Sequence, residues 1–93
     1  MQGDAVKILA KVSPTMYSIK SVLSQYKKKL SLVPSVHVET LRTYLKDLSS
    51  MESQAQRTVS QQAVLGLSLT EVGDTSVQAT NHMSLVKGML TSV

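Results

Sequence analysis

The stretch SVHVETLRTYLKDLSSMESQAQRTVSQQAV, Ser35 to Val64, contains neither glycine nor proline and repeats its apolar or small residues every three or four positions. At that spacing Val38, Leu41, Leu45, Leu48, Met51, Ala55, Val59 and Ala63 share one side of a helix. Arg42, Lys46, Glu52, Gln54, Gln56, Arg57, Gln61 and Gln62 fall between them, and none of these breaks a helix. Ser35 can serve as the N-cap, with Glu39 near the positive end of the helix dipole. The reading is a helix over 36–65, about 45 Å long. A rod of that length is long for a chain of 93 residues. It sets the expected fold class as all-α, with a long central helix and shorter helices folded back on it.

Immediately upstream lies YKKKLSLVPS, Tyr26 to Ser35, where Lys27, Lys28 and Lys29 precede the apolar Leu30, Leu32 and Val33. Pro34 cannot continue a helix and restricts the residue before it, so this run marks a corner. The preceding helix is predicted over 14–31. Ser13 reads as its N-cap and Pro14 as its first residue, where a missing N–H costs nothing. Met16, Ile19, Leu23, Tyr26 and Leu30 form its stripe, and the three lysines complement the negative end of its dipole. Before Ser13, Asp4 can cap a short helical turn over 4–12 that carries Val6, Leu9 and Val12, which Pro14 must kink or end.

Downstream, VLGLSLTEV (Val64–Val72) carries two patterns at once. Leu65, Leu67 and Leu69 alternate with Gly66, Ser68 and Thr70 as in a strand, whereas Leu65, Leu69 and Val72 continue a helical stripe. A single short strand is marginal, which favours a weakened helix end. Gly73 is then a C-cap and Asp74 the N-cap of a last helix over 75–92, with Val77, Met83, Val86, Leu90 and Val93 on one side. Residues 1–93 make a single helical domain, arranged as a helical hairpin or as a three-helix bundle if the long helix breaks near Gly66.

Composition narrows the function classes. Without cysteine there is no disulfide, thiolate chemistry or Cys-bound zinc. Tyr17, Tyr26 and Tyr44 are the only aromatics, so aliphatic side chains and five methionines must pack the core. No run approaches the roughly 20 apolar residues of a membrane span. Asp4 stands where a secretory signal would be basic, which makes a cytoplasmic location the default and export without a cleaved signal the alternative.

Catalytic residues, metal ligands and cofactor-binding residues are all expected to be absent. His37 and His82 have no partner at metal-ligand spacing, Gly66-Leu67-Ser68-Leu69-Thr70 lacks the second glycine of a nucleophile elbow, and the four glycines are scattered. Asp47 and Glu52 point to different sides of a helix, and Glu71 and Asp74 flank Gly73. The expected function is therefore that of a non-enzymatic interaction or assembly subunit, associating with itself or with another helical protein. Met51, Val59, Leu65, Val86 and Leu90 are the expected contact residues.

Charge supplies the main alternative. Residues 1–46 carry eight Lys or Arg against Asp4 and Glu39, net +6, while residues 47–93 carry two against four acids, net −2. Lys20, Lys27, Lys28, Lys29, Arg42 and Lys46 are the candidate contacts for nucleic acid or an acidic membrane surface. With only two arginines and no aromatic stacking platform the nucleic-acid signal is weak, and AVKILAKV is too short to hold a membrane alone. In its small size, helical pattern, lack of cysteine and abundance of Ser and Gln, the chain resembles the rod and needle subunits of bacterial contact-dependent export machines. It is similar in the same respects to the helical hairpins exported by Gram-positive bacteria, although it has no W-x-G turn. The resemblance implies a small exported subunit of a secretion apparatus.

Overall fold

Three α-helices and one 3-10 corner build the structure, a computed structural model that describes residues 2–61 and 64–93. Helix α1 spans Gln2–Gln25, the 3-10 corner Lys27–Leu32, α2 Ser35–Gln61 and α3 Leu69–Ser92. No strand occurs among the described residues. Thr15 of α1 meets Ser76 of α3, and Lys29 just beyond α1 meets Val93, so these two helices run parallel. Between α1 and α2 the contact is Ser13 with Glu52, and α2 runs back along both neighbours. The fold is an all-α, up-down-up three-helix bundle, with each helix packed on the other two.

The core is a single seam. On α1, Ala5, Ile8, Val12, Met16, Ile19 and Val22 are buried; α2 contributes Val38, Leu41, Leu48, Met51 and Ala55, and α3 contributes Val72, Ala79, Val86 and Leu90. On α3, Val72, Ser76, Ala79, Met83, Val86 and Leu90 alternate spacings of four and three, the 3.5-residue repeat of helices packed at a shallow angle. Thr58 is the buried polar residue, and its hydroxyl donates to the Gln54 carbonyl at 3.1 Å. The bundle measures 47 × 20 × 18 Å, and its radius of gyration of 14.5 Å exceeds the roughly 12 Å of a rounder domain of this length.

Several boundaries differ from the sequence reading, each for a physical reason. The predicted turn over 4–12 and the helix start at Pro14 are replaced by one helix that runs through the proline. Ala10, Ser13 and Pro14 all face solvent, so the carbonyl that Pro14 leaves without an N–H lies on the wet side, while the buried stripe passes behind it. Val6, expected on an apolar stripe, is exposed. The α-helical geometry predicted to reach residue 31 ends at Gln25, and the three lysines lie on the 3-10 turn instead of in a last α-helical turn. Ser35 is the first residue of α2 and not its cap, and the His37 amide donates to the Pro34 carbonyl at 3.1 Å.

At the far end α2 is described as far as Gln61, the stripe position Ala63 lies outside the described residues, and Val64 is already non-helical, short of the expected 65. Residues 64–68 are not helical. Leu65, Leu67 and Leu69 are half-buried against the core while Val64, Gly66 and Ser68 face out, so the alternation in this segment reports its conformation and the weakened helix end is incorrect. Helix α3 then begins six residues earlier than 75, capped by Ser68, whose Oγ accepts from the Glu71 amide at 3.0 Å. Ser68-Leu69-Thr70-Glu71 carries the S-x-x-E spacing of a capping box, a signal the sequence reading passed over. Gly73 and Asp74 are consequently interior to α3 and cap nothing, and Val77 is exposed and not on the buried stripe.

Two substitutions separate these readings. Gly73→Ala is expected to stabilise the protein by about 0.5–1 kcal/mol, since a helical position with open space around it gains from a methyl group; a C-cap glycine would lose stability on the same change. Pro14→Ala is expected to add about 2 kcal/mol by restoring a helix-interior N–H, less the entropy gained by the unfolded chain. Urea unfolding followed by circular dichroism measures both, and a destabilised Pro14→Ala protein would show that the helix begins at the proline.

Candidate functional site

The up-down-up topology gathers the 3-10 corner, the start of α2 and the end of α3 at one end of the bundle. Folding also sorts the charges along the long axis. The half that holds this corner, residues 20–46 and 80–93, carries Lys20, Lys27, Lys28, Lys29, Arg42, Lys46 and Lys87 against Glu39, a net +6. The opposite half carries Lys7, Lys11 and Arg57 against Asp4, Asp47, Glu52, Glu71 and Asp74, a net −2. Two helix C-termini and one N-terminus meet at the basic end, which leaves roughly half an elementary negative charge from the backbone. Six net side-chain charges dominate that.

Lys29 turns part of this charge inward. Its Nζ donates to the Val93 carbonyl at 2.9 Å, tying the corner to the C-terminal end of α3. Lys20, Lys27, Lys28, Arg42 and Lys46 are exposed. Lys27, Lys28 and Lys29 line a shallow groove with Ser24, Gln25 and Tyr26, and Arg42 lines a second with Glu39. The six candidate polyanion contacts thus occupy one half of the molecule, with the lysine triplet at its tip.

Next to the lysines lies an apolar groove of about 630 Å³, lined by Leu32, Val33, Pro34, Leu85, Gly88, Met89, Ser92 and Val93. Its rim is exposed to an unusual degree for such side chains: Leu32 is 62% accessible and Leu85 48%. Val36, on the adjoining first turn of α2, is 59% accessible. Gly88 leaves a space at the groove, since a Cβ there would meet nothing within 4 Å.

The expected contact residues fare differently. Val86 and Leu90 are fully buried and Met51 nearly so; these three are consumed by the intramolecular core and are not available to a partner. The reason is register, because the heptad seam of α3 points them inward. Leu65 is half-buried under the bundle, and Val59 is exposed at 37%. Leu32, Val36 and Leu85 were missed. Leu85 lies about 100° round the helix from Val86, and it is the register of α3 against its neighbours that leaves it outside the core.

The two histidines, distant in sequence, come together between α2 and α3. The His82 Nε2–H donates to the His37 carbonyl oxygen at 3.0 Å, and the His82 ring lies 5.9 Å from that of His37 and 6.0 Å from that of Tyr44. This is a polar staple between helices. No group of three or more His, Asp or Glu side chains suited to a metal ion occurs among the described residues, and no helix there is long and apolar enough to cross a membrane.

Comparison of the chain with protein-family models, with curated proteins and with solved structures finds no match. The site therefore rests on its own geometry. If the lysine tip grips a polyanion, affinity for duplex DNA or for phosphatidylserine vesicles falls steeply with salt, and replacing Lys27, Lys28 and Lys29 together by Gln lowers the slope of log K against log salt by about 2–3. Absence of binding to either probe at 20 mM salt excludes the polyanion role.

Proposed function

We propose that the protein is a non-enzymatic interaction module that associates through the apolar groove at its basic end. The observation that carries this reading is the concentration of large exposed aliphatic side chains, Leu32, Leu85 and Val93, around one groove. Single exposed apolar residues are ordinary on a protein surface, but a contiguous patch rimmed by charge is the pattern of a contact surface. The core leaves these residues out, and Met89 beside them is a side chain that adapts to different partners.

Lysines around the groove favour a partner whose contact surface is apolar and flanked by acidic groups. Charge of this kind acts chiefly on the rate and selectivity of encounter, while the apolar contacts supply the affinity. Leu85→Asp alters the groove at an exposed position and leaves the buried seam intact. It is expected to weaken association at least tenfold and to change stability by less than about 0.5 kcal/mol, measured by light scattering after size exclusion and by thermal unfolding. A wild-type protein that stays monomeric near 1 mM and binds no apolar dye overturns the reading.

A further inference from the structure

We propose that the groove is filled by a second copy of this chain, bound head to tail. The non-helical segment Val64–Leu67 at the opposite end of one molecule enters the groove formed by Leu32, Pro34, Leu85 and Met89 at the basic end of the next. The proposal rests on the association reading above and names its partner.

Three features of the molecule converge on this occupant. The two halves are opposite in net charge, +6 against −2, so copies aligned head to tail attract overall while copies that meet basic end to basic end repel; beside Val64 itself Arg57 lines a shallow groove, so the charge term there is small. The end remote from the lysines also presents an apolar side chain in an unusual state: Val64 is 95% accessible, the most exposed large hydrophobic residue described. It sits on a non-helical segment whose alternate residues, Leu65 and Leu67, are held against the core. The segment is thus anchored through one face and offers the other, which lowers the ordering cost of inserting Val64 into a partner. The groove, finally, has open space at Gly88, where a Cβ would meet nothing within 4 Å, which leaves room for a branched residue such as valine.

Size sets the expected strength. A cross-section of 20 × 18 Å allows an end contact to bury only about 300–400 Å² on each copy, half of a standard interface or less. The contact is accordingly weak, with a dissociation constant of about 10⁻⁴ M or above. Because the two surfaces are different and lie at opposite ends, each copy can accept one neighbour and donate to another. Such a contact does not close on a dimer and instead builds open chains.

Sedimentation equilibrium and light scattering from 20 µM to 1 mM test this on the full chain, with circular dichroism confirming that Val64→Asp and Leu85→Asp are folded. The wild-type mass is expected to rise with concentration without a plateau at dimer, and to fall at 0.5 M salt. Each variant alone should remain close to monomer. Mixed in equal amounts, the two should form a dimer and nothing larger, because Val64→Asp keeps a working groove and Leu85→Asp keeps a working Val64 segment. Association that survives Val64→Asp but not Leu85→Asp overturns the head-to-tail contact and leaves the groove as an interface for another surface. A mixture that stays monomeric overturns it as well, since a working groove and a working Val64 segment are then both present and do not bind each other. Wild-type protein monomeric throughout overturns self-association, and the dye test given above then decides whether the groove serves any partner.

Discussion

The buried face of α1 is the constraint to which the other elements answer. Ala5, Ile8, Val12, Met16, Ile19 and Val22 form a stripe too broad for one neighbour, and Leu9 and Leu23 pack at its margins. Covering it requires α2 on one side and α3 on the other. The same face explains why proline is tolerated mid-helix. Breaking α1 at Ser13 would uncover Ile8 and Val12, each worth about 1.5–3 kcal/mol when buried, against about 3 kcal/mol for an interior proline. Two side chains outweigh one lost hydrogen bond, the more so because the disrupted turn faces water.

A chain so rich in Ser and Thr would ordinarily resist long helices, since their hydroxyls compete for the backbone. Here that competition is turned back into the helix. Thr40, Thr43, Thr58, Ser60, Thr75 and Thr80 each donate to the carbonyl four residues earlier, at 2.8–3.1 Å. Their hydroxyls are satisfied within their own turn and ask nothing of neighbouring helices. Thr15 and Ser76 do cross between helices, with their oxygens 2.8 Å apart at one layer of the seam between α1 and α3. No buried side-chain polar atom among the described residues is left without a partner. Polar residues thus line the bundle without the penalty of unpaired groups, and register is fixed at one layer by a hydroxyl pair.

How much of this was legible depended on whether a signal was local. The α2 stripe from Val38 to Ala55 and the corner at Pro34 follow from spacing and from proline's fixed backbone, and both appear where the residues indicate. Pro14 was misread because its local preference, first residue of a helix, competes with a tertiary gain on the other side of the helix that spacing alone does not weigh. The Val64–Leu69 alternation is legible but points to a strand that would lack a partner; a non-helical segment needs none when its alternate leucines pack against the core. The groove was hidden for a different reason. Val86 and Leu90 carry the same apolar signature as Leu85, and only the register of α3 against its neighbours decides which of them is spent on the core.

Topology also converts the charge pattern. In the sequence the basic residues cluster before Asp47, and a straight hairpin would have spread them along one flank. Folding up-down-up places Lys20 at the top of α1, Arg42 and Lys46 in the first half of α2 and Lys87 near the end of α3, all towards the corner. A sequence-level asymmetry becomes an axial one. The end that carries most positive charge also carries the groove that the seam leaves uncovered, and at a Debye length of about 8 Å in physiological salt the lysine tip acts on whatever occupies that groove and hardly at all on the far end, some 40 Å away. In the proposed association, attraction and contact are therefore properties of the same surface, which makes salt and apolar substitution two independent handles on it.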